Sequence, residues 1–229
     1  MTNAIILTGS DRYASRWHDH AATGQRITEI LREVDIDARL RGTHPRVFGE
    51  LASADLLVVD AGRSRPGPED ASDEEWAGAH TLLADYVSRG GALLVMHNGI
   101  AAFSDLPAWS NWVGGSWVEG VSMHPPIGET TITPREIDHP VVEGLGPITV
   151  YDELYSHLGR ADDNVTLALH RYDDQKQPLV WTREHATGRV VVDTLGHDVR
   201  SYDSDGRNRL LKREALWVIG GDPETIRRI

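Results

Sequence analysis

The hydrophobic pattern opens with an unbroken apolar run, Ala4-Ile5-Ile6-Leu7, closed by Thr8 and Gly9. Consecutive apolar positions bury both faces of a strand, as in a parallel sheet covered by helices on each side. The period then becomes helical. Ile27, Ile30, Leu31 and Val34 recur at three- and four-residue steps, which predicts a helix over residues 17–34. A short strand is expected at residues 38–41 and a second two-faced strand at 56–59. A strand, a helix and a buried strand in succession make a βαβ unit. A Gly/Pro/Arg-rich loop over residues 62–70 follows. Ser72 with Glu75 then reads as a capping box. The helix it starts runs through Trp76, Leu82, Leu83, Tyr86 and Val87 and stops at Gly90-Gly91. Residues 92–96, Ala-Leu-Leu-Val-Met, form the next buried strand.

In the second half, β-branched or alternating patterns mark residues 130–133, 148–157, 165–170, 178–182 and 189–194 as strands. A closing helix is expected over 207–219, with Leu210, Leu211, Leu216 and Ile219 on its apolar side. No repeat, low-complexity tract or linker interrupts the chain. Its 229 residues suit one α/β domain spanning 1–229.

Composition narrows the chemistry. The chain has no cysteine, which removes disulfides, thiolate metal sites and cysteine nucleophiles together. Its formal charge of -12 repels phosphate backbones and anionic headgroups, so neither nucleic acid nor membrane is the expected partner. The first apolar run is too short for a signal peptide and lacks a basic leader, and the other runs are strand-length. A cytoplasmic protein is the expectation. The 7 tryptophans are compatible with a homo-oligomer.

Histidine, with 11 copies, is the residue in excess. His97 and Asn98 follow the strand at 92–96 and precede Gly99, at the carboxyl edge where open α/β sheets bind ligands. This is also the geometry of a nucleophile elbow. His97 would either face a cleft there or bond a neighbouring loop carbonyl. His197 likewise lies just past a strand end, in Asp193-Thr194-Leu195-Gly196-His197. In Tyr151-Asp152-Glu153-Leu154-Tyr155-Ser156-His157, strand alternation would put Glu153, Tyr155 and His157 on one face, as a proton-transfer set or as plain edge-strand decoration. His124 is held extended by Pro125, but His44-Pro45 and His139-Pro140 share that feature. Trp17-His18-Asp19-His20 can approach the same edge from the loop after the first strand.

The order of these pieces resembles the ThuA-like (trehalose utilisation) family. The pieces are the Gly9 loop with His18, the strand Gly90 to His97, and Trp112 to Gly115 leading to His124-Pro125. Asp152-Glu153-Leu154-Tyr155, Pro178 to Trp181, Gly188 to Val191, Leu195-Gly196-His197 and Leu216-Trp217 before Gly220 complete the order. The stretch between the first strand and His18 departs from a plain glycine-rich turn, carrying Asp11, Arg12 and Tyr13. The resemblance implies a flavodoxin-like or glutamine-amidotransferase-like three-layer sandwich with a mostly parallel central sheet. It also implies that His97 stands where an amidotransferase places its cysteine.

The resemblance further implies carbohydrate metabolism, with trehalose-like or keto-glycosides as substrates. The leading expectation is an enzyme acting on a sugar or keto-glycoside by hydrolysis, elimination or isomerisation. Histidine supplies the acid and base groups such reactions need near neutral pH. His97, His124, Glu153 and His197 are the expected catalytic set. His18, Asn98, Trp112, Tyr155 and His157 are expected to bind substrate. Several imidazoles with a carboxylate can also hold a divalent metal such as zinc, with ligands converging from separate loops. The competing reading is a non-catalytic sugar-binding domain on a degenerate amidotransferase scaffold. Convergence of the histidines and Glu153 in one cleft separates the two.

Overall fold

The computed structural model describes residues 2–229. A nine-stranded sheet runs through the molecule. Its parallel half consists of β1 (Thr2–Thr8), β2 (Ile36–Gly42), β3 (Leu56–Asp60), β4 (Ala92–Met96) and β11 (Gly188–Asp193). Beyond β11 the sheet turns antiparallel through β10 (Gln175–His185), β9 (Val165–Tyr172), β6 (Gly128–Pro134) and β7 (Ile148–Asp152). The order across it is β2-β1-β3-β4-β11-β10-β9-β6-β7. Two short strands, β5 (Gly115–Ser116) and β8 (Gly159–Arg160), pair separately.

The two-faced strands explain the layers. Ala4 and Ile6 of β1, Val58 of β3 and Leu94 of β4 face one core, closed by α1 (His20–Arg32) and α4 (Asp205–Val218) through Ile27, Leu31, Leu210 and Leu211. Ile5, Leu7, Val59 and Val95 face the other, closed by α2 (Asp73–Ser88) and α3 (Trp109–Val113) through Trp76, Leu83 and Trp109. This is the expected three-layer sandwich. A final short helix, α5 (Pro223–Arg228), packs on α4. Among the described residues, no helix is long and apolar enough to cross a membrane.

Two departures from the boundaries the sequence pattern predicts matter for the site. The first helix begins at His20, not at residue 17, because the Asp19 side chain caps it by accepting from the Ala22 N–H at 3.1 Å. Trp17 and His18 are thereby left in the loop. The strand expected over 148–157 ends at Asp152, whose carboxylate turns inward to take other backbone donors. Residues 153–157 leave the strand there; Ser156 bridges to Met123, and the His157 N–H donates to Gln177 of β10.

Candidate active site: a histidine and carboxylate cluster at the strand ends

Four strand ends meet at the carboxyl edge of the parallel half, and each delivers part of the site. β1 leads through Gly9 to the loop carrying His18. A Cβ at Gly9 would stand 2.5 Å from both the His20 ring and the Tyr13 carbonyl, so only glycine lets this loop fold back onto α1. β4 ends at His97, which adopts a left-handed φ of 42°, a conformation a β-carbon resists. That turn throws its side chain back across the sheet edge. β7 delivers Glu153 and Tyr155, and β11 delivers His197 after a glycine turn at Gly196.

His97 bonds a loop carbonyl, and its other ring nitrogen turns toward the neighbouring side chains. Its Nδ1 lies 2.8 Å from the Thr194 carbonyl, so Nδ1 carries the proton and donates to that oxygen. Its Nε2 faces the cluster, 3.1 Å from His18 Nε2 and 2.9 Å from the Tyr155 hydroxyl. His18 Nδ1 is engaged by the Ser15 hydroxyl at 2.8 Å, with the Asn98 amide nitrogen 3.4 Å away. Glu153 Oε2 stands 3.0 Å from His197 Nδ1, 3.6 Å from His124 Nε2 and 3.9 Å from His97 Nε2. One ligating atom each of His18, His97, Glu153 and His197 fall within 4.8 Å of one another.

Electrostatics divides the imidazoles. Burial, with His97 and other histidines nearby, drives His18 down to about 2. Burial also holds His97 well below the usual imidazole range, against the help of the Thr194 carbonyl. Both rings are therefore neutral at physiological pH. The Glu153 carboxylate works the other way on His197 and raises it. Burial raises the Tyr155 phenol, with Glu153 adding to it, so this group remains a hydrogen-bond donor. Burial pushes Asp152 up to about 6 although Ser201, His197 and Gly196 all bond it.

Above the cluster opens a cavity of about 580 Å³, lined by His18, Asn98, Glu153, Tyr155 and His197 together with Trp17, Arg63, Arg65, Trp117 and His124. The structure thus brings together seven of the residues named from sequence: His97, which bonds Tyr155 from beneath, with His18, Asn98, His124, Glu153, Tyr155 and His197. Two do not reach it. Trp112, on the buried face of α3, lies in the core edge-on to Trp109 at 6.5 Å. His157 follows the break after Asp152 with φ of 56°, bonds Gln177 through its N–H and packs edge-on to Tyr172.

The aromatic walls are instead Trp117, 4.9 Å from the Tyr155 ring and 6.3 Å from His124, and Trp17, which is 63% exposed. Trp112 stands three residues after Trp109, the spacing of a buried helix face, whereas Trp117 follows the Gly114-Gly115 break. That contrast was the signal available in the sequence. Arg63 is tied to Glu119 across the mouth at 3.0 Å. Nothing in the sequence pointed to Arg63 or Arg65.

Fold and cluster together define the class: a glutamine-amidotransferase-like α/β protein with three imidazoles and a carboxylate gathered at the strand ends. Residues 4–218 match the ThuA family, described as trehalose utilisation, and the chain belongs to that family. The description suggests a role in carbohydrate metabolism. Among solved structures, a ThuA-like protein of Parabacteroides merdae is 20% identical with a TM-score of 0.75, over 96% of this chain and 90% of that one. A ThuA-like protein of Bacteroides uniformis is 15% identical, TM-score 0.70, over 97% and 94%. A Thermoplasma acidophilum protein, described as belonging to a GMP synthase, is 18% identical, TM-score 0.57, over 96% and 94%. At these identities the likeness shows the fold alone. No curated protein matches the chain at a significant level.

Proposed function

We propose that the protein is an enzyme of carbohydrate metabolism that acts on a sugar or keto-glycoside through acid–base chemistry in this cavity, by hydrolysis, elimination or isomerisation. The observation that carries the reading is the convergence of His18, His97, Glu153 and His197 within 4.8 Å. A binding module tolerates scattered polar groups. Two imidazoles held neutral against each other, with a carboxylate alongside, cost stability that ligand recognition does not require.

The donor set fits a divalent ion such as zinc. His18 and His97 are neutral, as ligands must be, and each has Nδ1 engaged behind it by Ser15 or Thr194, leaving Nε2 aimed inward. His18, His97, Glu153 and His197 would hold the ion, which when bound supplies Lewis-acid polarisation of a substrate oxygen. The remaining groups do work of their own. His124 commits Nδ1 to the Pro125 carbonyl at 2.9 Å, which frees Nε2 to take or return a proton on the substrate side. The Tyr155 hydroxyl is placed to donate to an oxygen that gains negative charge during reaction. Trp17 and Trp117 offer ring faces to the apolar side of a sugar.

Two measurements test this reading together. The first is metal content of untagged protein by mass spectrometry, wild type against His97→Ala. The second is turnover of keto-glycosides, followed by NMR, for wild type, Glu153→Gln and His124→Ala. Losses of about 10²–10⁴-fold in turnover are expected for an acid–base group. Sugar binding without turnover in wild type would instead make this a non-catalytic binding domain. A stoichiometric ion lost in His97→Ala would assign His97 as a ligand, and its absence from both proteins leaves a metal-free acid–base site.

A further inference from the structure

We infer that Asp152 is the positioning residue of the cluster, the group that holds Glu153 and His197 in contact although their strands, β7 and β11, are not neighbours in the sheet. The inference rests on the reading that Glu153 and His197 belong to the reacting set.

Asp152 is the last residue of β7 and is 2% exposed. Its Oδ1 accepts from the Glu153 N–H at 2.9 Å and from the His197 N–H at 3.0 Å. Its Oδ2 accepts from the Gly196 N–H at 2.7 Å and from the Ser201 hydroxyl at 2.6 Å. Four donors thus close on one carboxylate. They come from its own strand end, from the turn that carries His197, and from the segment leading to α4. The strands β11, β10, β9 and β6 run in order between β4 and β7, so no ladder hydrogen bond ties β7 to the turn after β11. The carboxylate supplies that tie directly. It fixes the backbone nitrogens of Glu153 and His197 on one oxygen, and the side chains of the same two residues meet at 3.0 Å.

The rest of the turn is shaped to reach Asp152. Gly196 has φ of 116°, and a Cβ there would lie 2.5 Å from the Tyr202 hydroxyl. Only glycine brings this backbone so close to the site floor. All four partners of Asp152 are donors, so only an acceptor-only group satisfies them together. An asparagine would have to turn its NH₂ toward at least one N–H or O–H. The expected result is a turn displaced from Asp152 while the sheet stays in place, with Glu153 and His197 parted.

The test needs neither substrate nor activity. Wild type, Asp152→Asn and Ser201→Ala are compared by heteronuclear NMR of the imidazole nitrogens, with His139 as a distant internal control. Zinc affinity is measured on the same proteins by competition with a chromophoric chelator. Asp152→Asn is expected to shift the His197 nitrogens markedly and to leave His139 unchanged. Ser201→Ala, which removes one donor of four, is expected to move them less and in the same direction. Where wild type binds zinc, Asp152→Asn is expected to weaken it by about 10–100-fold, the usual effect of losing a group behind the ligands.

A folded Asp152→Asn protein with unmoved His197 signals overturns the inference. If Asp152→Asn does not fold, an unmoved His197 in Ser201→Ala overturns it equally. If no sugar is ever turned over while the His197 response appears, the proposed function fails and the positioning role stands.

Discussion

Beneath the turn that bears His197 lies a second buried polar group, and it offers a sharp test of how the fold supports its site. Arg207 of α4 meets Asp193 at the end of β11, Nη2 to Oδ2 at 2.8 Å, with both side chains fully buried. Glu214, about two turns further along the same face of α4 and also fully buried, faces the same pair. Burial works against the Arg207 charge, and the Asp193 carboxylate foremost outweighs it. For Glu214, burial raises the carboxyl well above its ordinary value and Asp193 adds to the rise, which favours the protonated form. In that form the three groups carry one positive and one negative charge.

Asp193→Asn strands a buried guanidinium, which costs about 3–5 kcal/mol. Glu214→Gln exchanges one neutral group for another of the same shape; it forfeits at most about 1 kcal/mol of hydrogen bonding and, at neutral pH, removes the cost of keeping the Glu214 proton. With an m-value of about 3 kcal/mol/M in urea, Asp193→Asn lowers the unfolding midpoint by about 1–2 M. Glu214→Gln lowers it by a third of that at most, or raises it. The sign with pH follows as well. The unfolded chain releases the Glu214 proton above about 4.3 while the native protein keeps it, so this group costs stability at neutral pH. That cost fades as the pH falls toward about 4.3, and Glu214→Gln removes this part of the slope. Equal losses in Asp193→Asn and Glu214→Gln at neutral pH would refute the assignment, because they would require a charged Glu214.

Two further outcomes are expected. His18 and His97 are held neutral by burial, so as the pH falls below about 6.5 the unfolded chain binds their protons first. Stability present above that pH is lost at up to about 1.4 kcal/mol per pH unit for each ring. His197, raised by Glu153, opposes this with a contribution that is lost as the pH rises through its native value. In chelator-treated protein His18→Asn should flatten the acid side of the curve, and an acid slope in His18→Asn equal to that of wild type would exclude the effect. Trp117→Ala and Trp17→Ala should each raise KM for a keto-glycoside several-fold with kcat nearly intact. A fall in kcat alone, measured in steady-state kinetics, would place these rings outside substrate binding.

Much of the parallel half was legible because its signals are local. Ala4 to Leu7, Leu56 to Val59 and Ala92 to Met96 are apolar at consecutive positions, and each has a core on both faces. His97 and His197 stand out by their place after such runs, and Glu153 with Tyr155 by alternation. Alternation fails one step later at His157, because the strand ends at Asp152, whose carboxylate binds the turn after β11. That event depends on residues more than forty positions away, and Asp152 reads locally as ordinary decoration. Trp112 and Trp117 carry the same side chain, and their separation into core and cavity is set by where α3 ends. The antiparallel half could be read as strands, but their order could not, since pairing across long sequence separations leaves no periodic trace.

The position of β11 has a consequence for synthesis of the chain. It lies in the middle of the sheet, between β4 and β10, yet it is the last strand to leave the ribosome. Until it emerges, β4 presents an open apolar edge, the kind of surface on which nascent chains aggregate. Ribosome stalling before residue 188 would leave that edge uncovered. The residues that close it, Val190 to Asp193, are followed directly by the turn with His197. Capping the half-built sheet and completing the histidine cluster are thus one co-translational event, and a chain released too early lacks both.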